Sequence, residues 1–382
     1  MRLFDEALKK QNLSRPPVWF MRQAGRYHSH YQELRKKHTF TELCKVPQLA
    51  CETTMGPIRD FDFDAAILFS DILFPLEAMG MGLEYNEGPK LDWHLREVAD
   101  LRKLRGGEEL ASRLQFQADA MRLIREALPQ DKGLLGFVGG PLTLYCYAVE
   151  GSHQGSLSSS REGLYDGRFS GFCELLIDLL AENMAMQARE GASTIAVLDT
   201  CAGEFDPETY AQYVVPQLKV LFEKFKKKCP NTPLFYYSKG TFELHWEKLL
   251  GLPFEGLGVD WRHSMPKVLT QWGKFWAIQG NVDPHALFLD SHELEALLRR
   301  FFQSILDLPA QARRGWVCGL GHGVLPKTPE ENVRLFLRLQ KEYFGEGSTA
   351  QGSQDLGDGQ MNQDHAMSSL MTPRGVVGLG RK

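Results

Sequence analysis

Two arginines four positions apart, Arg22 and Arg26, follow the apolar run Pro17-Val18-Trp19-Phe20-Met21. The run reads as a short buried strand, and Gln23, Ala24 and Gly25 form the turn that ends it. Guanidiniums held in such a turn suit planar, two-point capture of a carboxylate or phosphate. The plainer reading is that one arginine pairs with an acidic neighbour and the other is solvated. Asp71 poses a different problem. It lies between Ala65-Ala66-Ile67-Leu68-Phe69 and Ile72-Leu73-Phe74, where a carboxylate pays to lose its water unless something holds its charge. It is either a helix cap or a fixed anion facing a cation or an array of N–H donors.

His322 sits in Gly319-Leu320-Gly321-His322-Gly323, where flanking glycines let the backbone turn sharply and leave the imidazole exposed to a cavity. Tyr147, in Thr143–Gly151, reads as helical and by default as core. Thr200 offers a hydroxyl after an apolar run. Lys239, after Tyr236-Tyr237-Ser238, could form a Schiff base, although most lysines are simply solvated.

These residues need elements to position them. Apolar runs at Val18–Met21, Ala65–Phe69, Leu134–Val138, Thr194–Leu198, Leu234–Tyr237, Gly256–Trp261, Phe275–Gln279 and Gly315–Gly319 alternate with stretches of helical period. Helices are predicted over Leu164–Arg189, Pro207–Lys228, Ser291–Leu306 and Pro329–Tyr343. Asp206-Pro207 is a helix-start signal, and Thr328-Pro329-Glu330-Glu331 predicts a capping box. Continuous rather than alternating hydrophobicity suits parallel strands covered on both faces. Eight strands alternating with helices predict a single (β/α)8 barrel over residues 1–344, a doubly wound open sheet being the alternative. In a barrel the strand-end turns, among them Arg22–Arg26, Ser70-Asp71, Asp199-Thr200-Cys201, Ser238-Lys239-Gly240 and Gly321-His322-Gly323, ring one mouth. Residues 345–382, rich in Gly, Ser and Gln, have no apolar period and read as a disordered tail.

Composition narrows the function further. The 382 residues are 43% hydrophobic and 24% charged, with a formal net charge of −4. No global positive field invites nucleic acid or an anionic membrane, so a polyanionic ligand must be met by a local cluster. Seven cysteines (Cys44, Cys51, Cys146, Cys173, Cys201, Cys229, Cys318) are scattered without a C-x-x-C pair. They point to a reducing compartment, not to a disulfide framework or structural zinc. With no signal-peptide pattern and no membrane-length apolar run, a cytoplasmic protein is expected. P-loop, strand-linked G-x-G-x-x-G and G-x-S-x-G patterns are missing.

Pro17-Val18-Trp19-Phe20-Met21-Arg22-Gln23-Ala24-Gly25-Arg26-Tyr27 resembles the N-terminal signature of the uroporphyrinogen decarboxylase family. Phe69-Ser70-Asp71-Ile72-Leu73, Thr143–Gly151, Gly258-Val259-Asp260-Trp261, Gln279–Pro284 and Gly321-His322-Gly323 resemble the family in the same order, from about Phe4 to Tyr343. The resemblance implies a homodimeric barrel working without cofactor or metal. The implied reaction converts the four acetate side chains of uroporphyrinogen III to methyls, giving coproporphyrinogen III in haem synthesis. By position it implies that Arg22, Arg26, Asp71, Tyr147, Thr200 and His322, with Gln23, Ala24 and Gly25 of the arginine turn, contact substrate. Arg22, Arg26, Asp71, Tyr147 and His322 would carry the chemistry.

An acetate on a pyrrole loses CO2 only if the ring becomes an electron sink, which protonation of a ring carbon provides. Asp71 would bind the pyrrole N–H groups and stabilise that cation, with Arg22 as the family-based proton donor and His322 as the candidate whose ordinary pKa lies nearer neutrality. The chain departs from the family at Thr200, where serine is usual, at Leu142, where tryptophan is usual, and in the loop Gly151–Ser156, which replaces a glycine-rich run. Two rival readings exist. Cobalamin-dependent methyltransferases share the barrel but use a His/Cys-bound zinc, and here no cysteine follows His322 in Gly323-Val324-Leu325. The other is a non-catalytic tetrapyrrole-binding protein, against which the presence of all the named residues argues.

Overall fold

The computed structural model describes residues 2–12, 15–86, 88–153 and 155–345. The tail expected over 345–382, with its Gly375–Gly380 run, lies outside these residues apart from Gly345. One sheet of seven strands organises everything else. Its strands are β1 (Ala65–Ile67), β2 (Gly133–Gly139), β3 (Thr194–Asp199), β4 (Leu234–Ser238), β5 (Gly256–Gly258), β6 (Ala277–Val282) and β7 (Trp316–Leu320). They are hydrogen-bonded in sequence order and all parallel, with Ala66 opposite Leu134, Ala196 opposite Phe235 and Gln279 opposite Val317. Near-complete burial of every strand explains their unbroken hydrophobicity.

The open edges of this sheet are joined by the segment around Val18. On one side Val18 bridges Cys318 in parallel, with Trp19 N donating to Cys318 O at 3.1 Å and Cys318 N to Pro17 O at 2.8 Å. On the other, Asp64 N donates to Val18 O at 3.0 Å, while the Asp64 carboxylate accepts from Val18 N at 2.7 Å. Arg15 clamps the same carboxylate through both guanidinium nitrogens. The Val18 segment is therefore the eighth stave, and the sheet closes into a barrel, as expected from sequence. Trp19 meets Phe235 of β4 edge-to-face at 6.0 Å. Staves that are not neighbours touch through the interior, so this contact fills the barrel and sets its width.

Several details differ from expectation. The strand expected over Phe275–Gln279 begins later, at Ala277, and Phe275 is an exposed turn residue. Leu164–Arg189 is broken into Ser158–Tyr165 and Arg168–Arg189 around Gly167. Asp206 caps its helix as predicted, accepting from Glu208 N and Thr209 N. The capping box at Thr328 is absent: its hydroxyl donates back to Leu325 O at 2.8 Å, and Pro329 precedes the helix Glu330–Phe344. Glu330 accepts from the backbone N–H of Ser29 at 2.6 Å. A small antiparallel hairpin, Glu84–Tyr85 against Pro89–Lys90, was not anticipated. No helix among the described residues is long and apolar enough to cross a membrane.

Candidate active site

The arginine turn is a strained feature held from several sides. Arg22 has φ +60, a left-handed conformation that costs a side-chain-bearing residue about 1–2 kcal/mol. Gln23 N donates to Phe20 O at 3.2 Å, Val324 N to Met21 O at 2.9 Å and His28 N to Gly25 O at 2.9 Å. The Gln23 side chain is buried and donates to Ala65 O of β1 at 3.0 Å, and Tyr27 donates to Gln23 O at 2.8 Å. Gln23 was expected to contact substrate. Its side chain instead anchors the turn to the sheet, leaving only its backbone for a ligand. Arg22 and Arg26 are both exposed and form no ion pair among the described residues, and the N–H groups of Ala24 and Gly25 find no acceptor there. A Cβ on Gly323 would lie 2.5 Å from Arg22 Cδ, so the arginine lies across this glycine and a side chain there would displace it.

Asp71 follows β1 and begins the turn into the helix Phe74–Ala78. One oxygen accepts from Leu73 N at 2.9 Å, so the capping alternative is partly realised. No ion pair takes the carboxylate among the described residues. Burial pushes its pKa up; the Leu73 N–H, the Tyr85 hydroxyl and the Arg22 charge pull it back. Tyr85 comes from the unanticipated hairpin, and its buried hydroxyl has no hydrogen bond at ordinary distance although it lies near enough to favour the charged acid. Ser70, next in the chain, is fixed by Gln117 Nε2 at 2.9 Å. A half-buried carboxylate with spare acceptor capacity thus faces a cation and two phenols, since Tyr147 also feels its charge.

Two other acids at strand ends, Asp199 and Asp260, are engaged through both oxygens. Asp199 accepts from Thr143 N at 3.0 Å, Thr143 Oγ1 at 2.6 Å and Tyr236 Oη at 3.0 Å. Asp260 pairs with Arg262 Nη1 at 2.6 Å and accepts from Gly240 N at 2.6 Å and Arg262 N at 3.0 Å. Asp199 serves the site indirectly by fixing the first turn of the helix Pro141–Glu150, which carries Tyr147, and Thr143 Oγ1 in turn accepts from Cys201 N at 3.0 Å beside Thr200. Thr200 itself is half-buried, its hydroxyl without a partner among the described residues.

His322 is held on Tyr237. The Tyr237 hydroxyl lies 2.9 Å from Gly321 O and 2.9 Å from His322 Nδ1. A carbonyl can only accept, so the phenol donates to Gly321 and His322 Nδ1–H donates to the phenol oxygen. That assignment leaves Nε2 as an acceptor. Burial first, then the charges of Arg22, Lys239 and Arg262, push the imidazole down to about 3. The contact with Tyr237 and this downward shift together favour a neutral acceptor over the proton donor that an imidazole titrating near neutrality would be.

His153, in the atypical loop, was not singled out in sequence. Its Nδ1 lies 2.5 Å from Tyr147 Oη, and burial followed by the Lys239 and Arg22 charges pushes its pKa down. Among the described residues no group of three or more His, Cys, Asp or Glu side chains stands ready to hold a metal ion.

The family model described as "Uroporphyrinogen decarboxylase (URO-D)" matches residues 1–343. A uroporphyrinogen decarboxylase of Geobacter sulfurreducens is 36% identical over 334 residues, covering 86% of this chain and 95% of that protein. One of Roseiflexus is 36% identical over 355 residues, covering 90% of this chain and 99% of that protein. Among solved structures, a methyltransferase from Methanosarcina mazei has the same fold with TM-score 0.72 at 18% identity, covering 90% of this chain and 99% of that one.

Proposed function

The chain belongs to the uroporphyrinogen decarboxylase family and is a carboxy-lyase of tetrapyrrole biosynthesis; from that premise we propose that Asp71 is the anion on which each pyrrole ring is held while its acetate becomes a methyl. The reaction takes uroporphyrinogen III to coproporphyrinogen III. Protonation of a ring carbon gives a cationic ring. The C–CO2 bond then breaks, its electron pair forming an exocyclic methylene as CO2 leaves. A proton added to that methylene makes the methyl, and loss of the first proton from the ring carbon restores the pyrrole. Each acetate consumes one proton net.

Asp71 accepts hydrogen bonds from the pyrrole N–H groups, which converge on the centre of the macrocycle, so one aspartate serves all four rings as the substrate is reoriented. A carboxylate about 4 Å from a unit cation is worth roughly 4 kcal/mol at an effective dielectric near 20, and a preorganised site needs no solvent rearrangement to deliver it. The single observation that carries this assignment is that Asp71, unlike Asp199 and Asp260, retains an unfilled acceptor among the described residues. Arg22, Arg26 and the free N–H groups of Ala24 and Gly25 receive substrate carboxylates. Tyr147 and the hydroxyl of Thr200 line the ring, and His322 accepts at Nε2. With the His322 imidazole pushed down and the Tyr147 phenol raised by burial, delivery of the proton is assigned to Arg22, the donor that the family resemblance implies. The same reading includes a homodimeric, cytoplasmic protein with no cofactor and no nucleic-acid partner. Seven free thiols and a net charge of −4 support the compartment and the lack of a nucleic-acid partner. Anaerobic incubation with uroporphyrinogen III, followed by product chromatography, should show stepwise loss of carboxyl groups ending at coproporphyrinogen III; substrate returned unchanged would refute the reading.

A further inference from the structure

Resting on the decarboxylase reading, we propose that Lys239 is a second carboxylate anchor, receiving acidic side chains of the macrocycle on the wall opposite Arg22. The barrel's ring order runs from the Val18 segment through β1 to β7. In a ring of eight staves, the first and the fifth face each other. Arg22 ends the first and Lys239 follows the fifth, β4. The contact between Trp19 and Phe235 at 6.0 Å shows these two staves meeting across the interior, three residues before Arg22 and four before Lys239. A tetrapyrrole with acidic arms on every ring presents carboxylates around its whole perimeter, whereas the arginine turn covers one side only.

The turn that carries Lys239 is fixed. Its carbonyl accepts from Gly203 N at 3.0 Å, and the next N–H, that of Gly240, donates to Asp260 at 2.6 Å. Gly240 has φ +76, and a Cβ on Gly203 would lie 2.3 Å from Gly240 C, so the two backbones lock together. The ammonium has no ion-pair or hydrogen-bond partner among the described residues, because the neighbouring acid, Asp260, is already taken by Arg262. The charges of Lys239 and Arg22 both act on His153 and on His322, so both cations look into one space. Like charges facing a common cavity repel, and a polycarboxylate relieves that repulsion on binding. A Schiff-base role, the other chemistry open to this lysine, has no carbonyl to attack in a pyrrole acetate.

Lys239→Met removes the charge and keeps most of the unbranched length. It should raise KM for uroporphyrinogen III about tenfold with a smaller change in kcat, the pattern of lost uniform binding, and Lys239→Arg should recover most of the loss. The affinity of Lys239→Met for uroporphyrin III, followed by porphyrin fluorescence, should fall by about the same factor, with a shallower salt dependence than wild type. Unchanged KM and affinity in Lys239→Met, or equal impairment in Lys239→Arg, would overturn the assignment. Absence of turnover in wild type would instead count against the reaction, and the fluorescence titration would still decide the subsite.

Discussion

Asp71 and Asp199 are two carboxylates at the mouth-side ends of strands in one barrel, both with pKa values raised by burial. Asp199 is a finished piece of construction. Its oxygens hold a backbone N–H, a threonine hydroxyl and a tyrosine hydroxyl, and Tyr236 is itself 2.7 Å from Tyr210. Asp71 has one backbone donor, with the Tyr85 hydroxyl and the Arg22 charge nearby, and no ion pair among the described residues. The difference teaches that burial alone does not mark a functional acid. An acid whose acceptors are filled organises the fold, while one whose acceptors stay open can bind something from outside.

The largest effect expected from this contrast is structural. Asp199→Ala leaves two hydroxyls and an N–H buried without their acceptor, at a cost of about 3 kcal/mol. Denaturant titration should show that loss, while an Asp71→Asn variant should unfold no more easily than wild type at neutral pH. The sign follows from linkage. A carboxyl whose folded pKa is raised destabilises the fold when charged, so neutralising it above that pKa costs no stability. Comparable destabilisation of both variants would break the contrast. Next comes Arg22→Lys, which keeps charge but loses the planar fork, and about a tenfold fall in turnover is expected, or about 1.4 kcal/mol. Full turnover in Arg22→Lys would remove any need for guanidinium geometry.

A further effect, spread over several pH units, concerns His322. With its pKa at about 3 in the folded protein against 6.5 ordinarily, the unfolded chain binds the extra proton between those values. Stability should therefore fall with pH below about 6.5, by at most about 1.4 kcal/mol per pH unit from this group. His322→Gln should lose that part of the slope, and an unchanged slope would mean the imidazole is already charged in the fold.

Much of this arrangement was legible in the sequence. Val18–Met21 and its arginine turn, the run ending at Asp71, and the glycines around His322 mark a strand followed by a sharp turn, because continuous apolar runs and glycine punctuation report local structure directly. The remainder depended on tertiary context. Thr328 and Glu331 match a capping pattern, yet the Thr328 hydroxyl turns back to Leu325 O and Pro329 takes the N-cap position. That His322 is a neutral acceptor depends on Tyr237 and Lys239 of one stave and on Arg22 of another. His153 and Tyr85 reach the site from a loop and a hairpin; Asn86 and Gly88 signal a turn there, but nothing local says that Tyr85 faces Asp71. Which acid is open and which is filled cannot be read from either acid's neighbours in the chain.

The most direct test is the turnover of Asp71→Asn with uroporphyrinogen III, measured anaerobically on protein shown by its melting curve to be as folded as wild type. Loss of charge stabilisation predicts a fall of at least tenfold, and on the order of a thousandfold if the whole roughly 4 kcal/mol is lost. Wild-type turnover in that variant would contradict the account.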